Sequence, residues 1–296
     1  MEAKCLAVTA IAPVAWGANY VVTRQLLPVD APLWGSTFRA LPAGLILLAV
    51  ARALPRGAWW WRSAVLGTLN IGAFFLLVYV AAQLLPSSVA ASVMALAPLA
   101  MAGFGWLLLD ERLSGRVLAG ALAGIVGVLL VVGGATGGID PIGVAASLSA
   151  LVLSCAGAVL GKRWYDGTPL VAMTAWQLVL GGLVLGAAAV LLEGAPPALD
   201  AHSTAGFAFT SLVATALAYL CWFGGLARLQ AATVGAVGLL NPVTGVLLGA
   251  LVAGETLTGA QLAGVALVLG GILAASWSPS RVPLPLAEPD RELVAI

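Results

Sequence analysis

Charged and chemically reactive side chains are scarce in this chain. Asp, Glu, Lys and Arg make up 8% of its 296 residues, against about 25% in soluble domains. It has one His and three cysteines without CxxC spacing, so no metal or haem site can be assembled from them. The GxxxxGK[ST] loop of ATP-driven proteins is also missing. A net charge of +1 gives no reason to expect a nucleic-acid partner.

Acidic groups are missing from the apolar stretches in particular. All twelve Asp and Glu residues lie at the ends of apolar runs, in loops or in the termini. Proton and sodium pumps normally keep such groups within the bilayer. Membrane-embedded proteases and acyl transferases need paired carboxylates, Ser/His or His motifs. We therefore predict that the chain is not an enzyme and has no cofactor.

Long apolar runs dominate the sequence instead. It is 61% hydrophobic with a mean hydropathy of +1.07, and about 20 apolar residues suffice to cross the hydrocarbon core. Each run must be helical, because an open strand would leave its backbone unpaired in lipid. The sequence thus predicts an all-α integral membrane protein with ten transmembrane helices, at residues 5–26, 33–53, 62–85, 87–109, 115–134, 141–163, 169–192, 204–228, 231–253 and 258–277.

The second half of the chain repeats the first. Residues 85–131 align with 229–275 at an offset of 144 without a gap, with 14 of 47 positions identical. Upstream the offset is 138, and the six extra residues lie in the loop between Glu193 and His202. Five spans per copy is an odd number, so the second copy must enter the membrane inverted, as in secondary transporters. We predict two inverted five-helix repeats, 1–137 and 138–278, followed by a disordered, Pro-rich cytoplasmic tail, 279–296.

The basic residues indicate the orientation. With a cytoplasmic N-terminus, eleven of the thirteen Lys and Arg residues face the cytoplasm, while Arg24 lies outside and Arg39 lies within a span. This is a strong positive-inside bias. The loop after the fourth span carries Arg112 and Arg116, whereas the equivalent loop after the ninth span has no basic residue. Both termini are therefore predicted to be cytoplasmic.

Arg39 is the one fixed charge well inside a span. A buried Arg is costly unless it faces water, carbonyl groups or an anion. A guanidinium binds carboxylates bidentately, so one interpretation is a site for a substrate carboxylate. The other is a structural Arg that snorkels outward or bonds to loop carbonyls, which the neutral Gln177 at the equivalent position of the second repeat favours.

Two prolines occupy equivalent mid-span positions. Pro98 and Pro242 lie near the middle of the fourth and ninth spans, where proline kinks or breaks a helix. Symmetric breaks near the midplane suit alternating access, and Asn241 adds an amide at that depth. The alternatives are a hinge or binding role for this set, or simple kinked packing.

Polar and aromatic side chains at mid-depth are candidates for a substrate site. In hydrocarbon such groups find no partner, so they should face inward. For each of them, helix–helix hydrogen bonding is the alternative to substrate binding. The candidates are Trp16, Asn19, Tyr20, Asn70, Tyr79, Trp176, Gln177, Tyr219 and Trp222.

Paired turns follow the fourth and ninth spans. Glu111 and Glu255 stand in matching Glu-x-Leu-Ser/Thr-Gly sequences, and we expect both to close tight turns as structural residues. Ser114 and Thr258 in these sequences are suited to cap the helices that follow.

Together these features resemble the drug/metabolite transporter superfamily in its EamA branch. The resemblance covers residues 5–277. It rests on the two repeats and on motifs at Trp16-Gly17-Ala18-Asn19, Arg39-Ala40, Pro98, Glu111, the Ala-Leu-Ala-Tyr-Leu-Cys-Trp-Phe run ending at Phe223, Pro242 and Glu255. It implies a protein similar to YddG-type amino acid exporters, with a central cavity formed by all spans except the fifth and tenth.

The resulting expectation is a secondary transporter of the bacterial inner membrane. It would export amino acids or related small metabolites by alternating access, down the substrate gradient because no acid lies in the spans. Its partners would be that small-molecule substrate and membrane lipid. A broad drug or toxin exporter is the first alternative, and a membrane scaffold without transport activity is the second.

Overall fold

Ten helices form the described part of the chain. The computed structural model describes residues 2–110, 115–134, 139–226, 228, 237–238 and 240–276. The helices are α1 (Glu2–Leu26), α2 (Pro32–Ala51), α3 (Trp59–Leu84), α4 (Ser87–Leu109), α5 (Gly115–Gly133), α6 (Pro141–Arg163), α7 (Leu170–Leu192), α8 (Ala201–Gly225), α9 (Leu240–Leu251) and α10 (Gly259–Ser276).

Most of these helices match the predicted spans. Within the described ranges, seven are long and apolar enough to cross a membrane, namely α1 to α4 and α6 to α8. Shorter apolar helices occur at Leu118–Gly133, Leu240–Leu251 and Gly259–Gly271. The predicted fold class is confirmed: this is an all-helical, multi-pass membrane protein. Helix α3 begins three residues earlier than predicted, at Trp59, which is buried and donates a hydrogen bond to Asp166.

Equivalent helices of the two halves run antiparallel. At one end of the α2–α7 pair, Glu193 accepts hydrogen bonds from the backbone N–H groups of Leu33 (2.7 Å) and Trp34 (3.0 Å). At the other end, the Trp176 indole donates to the Ala53 carbonyl at 2.7 Å. The start of each helix therefore lies beside the end of its counterpart, which is what inverted repeats require.

Helices α5 and α10 form a similar antiparallel pair. The Thr258 hydroxyl, at the start of α10, donates to the carbonyl of Gly134, just after α5. Between them, Gly127 and Gly264 bring the two backbones together, since a Cβ on either would lie within 2.6 Å of the other's carbonyl oxygen. Such close approach in lipid depends on small residues.

The remaining helix contacts also occur in matched pairs. Helix α1 packs on α8 and α9, and its counterpart α6 packs on α3 and α4. Gly17 abuts the Asn241 carbonyl, and Cys155 contacts the Ala97 carbonyl at 3.5 Å. The offsets of 138 and 144 relate Gly17 to Cys155 and Ala97 to Asn241. The two halves therefore correspond residue by residue at this contact.

Helices α3 and α8 are each interrupted by a π-helical segment. These segments are Thr68–Ala73 and Phe209–Leu217, and the offset of 144 places the first on residues 212–217. A π segment carries an extra residue per turn and is frequent at functional sites. The same irregularity has thus been kept at the same place in both halves.

Helix α4 is divided near its middle. Its two parts, Ser87–Met94 and Ala97–Leu109, are separated by a turn at residues 95–96, and Pro98 is the second residue of the later part. Proline has no N–H to continue the preceding helix. Pro242 is the third residue of α9, and several residues before it lie outside the described ranges. A matching break at Pro242 remains a prediction.

Candidate functional site

The candidate site is built around Arg39, the eighth residue of α2. Its Nε donates a hydrogen bond to the Thr215 hydroxyl on α8 at 3.1 Å. Its guanidinium carbon lies 4.0 Å from the centre of the Phe75 ring on α3, a cation–π contact. Three helices from both halves therefore hold one cation.

The outer edge of this guanidinium is available. Within the described residues, the two terminal nitrogens of Arg39 have no hydrogen-bond partner, yet neither is fully buried. The side chain as a whole is half-buried. Because Nε is already bonded to Thr215, the paired terminal N–H groups remain for a planar acceptor. This is the geometry in which a carboxylate binds bidentately.

An aromatic wall lies beside Arg39. Trp16 contacts the rings of Tyr219 and Trp222 at centroid distances of 5.9 and 5.3 Å, and Tyr219 stacks on Phe223 at 5.8 Å. Tyr219 follows Thr215, the partner of Arg39, by four residues on α8, and it packs on the same apolar cluster as Phe75. Trp16, Tyr219, Trp222 and Phe223 are half-buried. The structure thus joins a cation to a partly accessible apolar surface.

Three more of the predicted candidates lie on α1, which carries Trp16, or on α9, which packs against α1. Tyr20 on α1 is 4% exposed and packs among apolar side chains of α3 and α4. Asn19, one residue earlier on α1, is 2% exposed, and its side-chain oxygen has no partner among the described residues. The same is true of the side-chain oxygen of Asn241, whose carbonyl abuts Gly17 of α1. Unpaired buried acceptors are costly and can accept hydrogen bonds from a bound donor.

Asn70 and Gln177 are paired with each other. The Asn70 amide nitrogen donates to the Gln177 side-chain oxygen at 2.9 Å. The opposite side of the Asn70 amide packs directly on Gly157 of α6. The pair therefore joins α3, α6 and α7, as expected for helix–helix hydrogen bonding.

Tyr79 and Trp176 also make structural contacts. The Tyr79 hydroxyl donates to the Pro28 carbonyl at 2.5 Å, and its ring packs against Gly35. Trp176 packs on Trp59 at 5.9 Å besides its bond to the α2 end. Each is 5% exposed, and the contacts of neither include Arg39.

Glu255 interacts with a different helix from the one expected. Its backbone N–H closes the turn by donating to Gly249, but its carboxylate accepts from the backbone N–H groups of Ser87 (2.5 Å) and Ser88 (3.0 Å). It therefore caps the start of α4, where a negative charge is favourable. Thr258 caps α10 by accepting from Gln261 N–H at 3.2 Å. Glu111 lies outside the described residues.

Outside the spans, Asp166 links the loops that precede α3 and α7. It accepts from the Trp59 indole at 2.7 Å and from the Thr168 hydroxyl at 2.6 Å, and lies 3.9 Å from Arg62. Partial burial favours the protonated carboxyl, but the hydrogen bonds from Thr168 and Trp59 outweigh it and lower the pKa of Asp166.

Two members of the site are not evident from the sequence. Phe75 and Thr215 both contact Arg39, yet each is an ordinary residue of an apolar helix. Two signals point to them. The offset of 144 places Phe75 on Tyr219, and Thr215 follows Thr210 by five residues, the spacing of a π-helical turn.

Comparison with known proteins gives consistent matches. The profile of the EamA-like transporter family matches twice, at residues 3–133 and 141–277. Protein PecM of Dickeya dadantii is 37% identical over 264 residues, covering 88% of this chain and 89% of PecM. A probable amino-acid metabolite efflux pump of Salmonella typhimurium is 30% identical over 279 residues, covering 88% and 90%. One crystal structure has a TM-score of 0.64 at 20% identity, covers 92% of this chain and 96% of its own, and shows the fold alone.

Proposed function

The chain belongs to the EamA-like transporter family, and on this premise we propose that it exports amino acids or related small metabolites across a bacterial inner membrane. Family membership identifies a transporter and not an enzyme. The observation that carries the finer proposal is the available edge of Arg39 beside an aromatic wall. The efflux-pump relative is named for the same class of solute.

Each part of an amino acid has a counterpart at this site. Its carboxylate would bind the terminal N–H groups of Arg39, because a guanidinium matches carboxylate geometry. Its side chain would lie against Trp16, Tyr219 and Trp222. Its ammonium group would donate to the unpaired side-chain oxygens of Asn19 and Asn241. Among the candidates, Asn70, Tyr79, Trp176 and Gln177 would support the bundle and not touch the substrate.

Transport would proceed by alternating access. We propose that the repeats 1–137 and 138–278 rock against each other, with both termini and the tail 279–296 cytoplasmic. Pro98 and Pro242 would act as hinges, since the α4 turn at Pro98 already divides that helix. Because no carboxylate of the sequence lies within a span, movement would follow the substrate's own gradient. Counterflow that requires a proton gradient would contradict this last point.

The test is counterflow into proteoliposomes with a panel of radiolabelled amino acids and their amides. A charge-assisted hydrogen bond contributes about 1.5–3 kcal/mol, so Arg39→Gln should lower amino-acid transport about 10- to 100-fold and transport of amides much less. Arg39→Lys is the matched control, because it keeps the charge but loses the planar pair of donors. Equal losses for acids and amides would assign Arg39 to structure.

The aromatic cluster also favours a second candidate, a broad exporter of drugs or toxins. Trp16, Tyr219 and Trp222 offer rings to apolar or cationic molecules. Transport of cationic dyes that survives Arg39→Gln, without transport of amino acids, would establish it. A scaffold without transport activity would instead show no counterflow of any solute, for the wild type and for Asn241→Ala alike.

A further inference from the structure

We propose that Thr215 is the positioning residue for Arg39, and that the π-helical segment of α8 holds it in place. The substrate-facing edge of the guanidinium would depend on this one hydroxyl. This inference rests on the proposed function, because it concerns the orientation of the group that would bind the substrate carboxylate.

The hydroxyl of Thr215 has only one orientation that satisfies both of its contacts. It is fully buried, with 0% exposure. It donates its single proton to the Thr210 carbonyl at 2.8 Å, and it accepts from Arg39 Nε at 3.1 Å. A hydroxyl has one donor and two acceptor sites. With the proton committed to Thr210, a lone pair is left facing Arg39.

The bond between Thr215 and Thr210 depends on the π geometry. In regular helices of this bundle, hydroxyls such as those of Thr37 and Ser92 bond to the carbonyl four residues earlier, Leu33 at 2.8 Å and Ser88 at 2.7 Å. Thr215 reaches five residues back, within the segment Phe209–Leu217. A regular helix places successive residues 100° apart, so removing the extra residue of the π turn would rotate Thr215 away from Arg39.

The other half of the molecule repeats this arrangement. Gln177 is the eighth residue of α7, as Arg39 is of α2, and it bonds to Asn70 within the π segment Thr68–Ala73 of α3. In both halves, a polar side chain of one repeat is held by a π segment of the other. The two repeats keep this arrangement although the side chains involved differ between them. This indicates that the π segments serve to position these side chains.

A merely structural role for Thr215 makes a different prediction from a positioning role. If the hydroxyl only satisfies a buried donor, its loss should lower stability and affect every substrate alike. If it orients the guanidinium, its loss should weaken binding of carboxylates selectively. Stability and substrate selectivity therefore have to be measured on the same variants.

The experiment compares Thr215→Val, which keeps the side-chain shape, with Thr215→Ser, which keeps the hydroxyl. Counterflow kinetics are measured for an amino acid and its amide, with a thermal midpoint for each variant. We expect Thr215→Val to raise the KM of the amino acid about 10-fold, with the maximal rate and the KM of the amide nearly unchanged. Thr215→Ser should restore the wild-type KM. Thr215→Ala serves if the valine variant does not fold.

Combining Thr215→Val with Arg39→Gln distinguishes the positioning role of Thr215 from the proposed carboxylate site itself. Thr215→Val should add nothing in the Arg39→Gln background, because residues that act as a unit are not additive. Equal effects on acid and amide, or a Ser variant as impaired as the Val variant, would overturn the role of Thr215. If Arg39→Gln itself fails to distinguish acid from amide, the proposed carboxylate site is wrong. If it does distinguish them and Thr215→Val does not, only the positioning inference fails.

Discussion

Arg39 in α2 and Gln177 in α7 occupy equivalent positions, related by the offset of 138, and each reaches a π-helical segment of the opposite half. Their surroundings differ. Gln177 meets an amide of its own kind, and Asn70 is pressed against Gly157. Arg39 meets a single hydroxyl and a ring, which leaves the two terminal nitrogens of its guanidinium without a described partner.

This difference shows how a symmetric backbone can carry an asymmetric site. The neutral amide pair forms one hydrogen bond and links three helices, although the Asn70 side-chain oxygen has no partner among the described residues. A guanidinium with five N–H donors cannot be satisfied by one hydroxyl, so it remains able to bind an anion. In our account, the repeat supplies the frame, and exchanges at positions 39 and 177 and among the residues around them separate the binding half from the packing half.

The largest expected effect comes from moving the cation to the other half. In Arg39→Gln combined with Gln177→Arg, the guanidinium would lie beside Asn70 and Gly157, without the aromatic wall. Amino-acid counterflow should stay about 10- to 100-fold below wild type, as in Arg39→Gln alone. Recovery to more than half of the wild-type rate would show that the two positions are interchangeable.

Overpacking the contact between Gly157 and the Asn70–Gln177 pair should affect stability more than substrate selectivity. A Cβ at Gly157 would overlap the Asn70 amide and push it off Gln177. Gly157→Ala should therefore cost about 1–3 kcal/mol, seen as a lower thermal midpoint in detergent. Gly186→Ala is the control, since its Cβ would meet Thr37 at an ordinary 3.4 Å. Equal midpoints for the two variants would mean that Asn70 is not closely packed.

The caps that join the halves should contribute less. Glu255 caps α4 and Glu193 caps α2, so two carboxylates of the second half hold helices of the first. Replacing either by Ala should cost about 0.5–2 kcal/mol, measured as a lower thermal midpoint. The exposed Asp110→Asn is the control. By the offset of 144, Glu111→Ala should give a similar loss. An unchanged thermal midpoint for this variant would mean that only the second half provides caps for helices of the other half.

The smallest effect is expected at Asp166. Its folded-state pKa lies below the unfolded value of about 3.9, so its stabilising effect is present above that pH and is lost as the pH falls through the folded pKa. Asp166→Asn should lower stability at neutral pH by less than about 1 kcal/mol, because the carboxylate is half exposed. The difference from wild type should shrink on acidification, and a difference independent of pH would contradict this assignment.

Much of this arrangement could be predicted from the sequence. Ten apolar runs and the repeat predicted opposite orientations for equivalent helices, but not that these helices pack side by side, and Arg39 stood out as the one fixed charge inside a span. Which polar residues would surround Arg39 could not be predicted. The π segments shift the register of α3 and α8, so a period of 3.6 does not place Asn70, Tyr79 or Tyr219 on the correct face. Capping of α4 by Glu255 depends on tertiary packing, which no local turn motif encodes.

The central claim is that equivalent loops of the two halves, such as those after α2 and α7, face opposite sides of the membrane. Single cysteines at Leu54, 64% exposed after α2, and at the exposed Ala195 after α7 test it directly. The background would lack Cys5, Cys155 and Cys221. In intact cells, an impermeant maleimide should label only the cysteine at position 195, and permeabilisation should expose the one at position 54. Labelling of both positions from the same side would contradict the inverted repeat and the transport mechanism based on it.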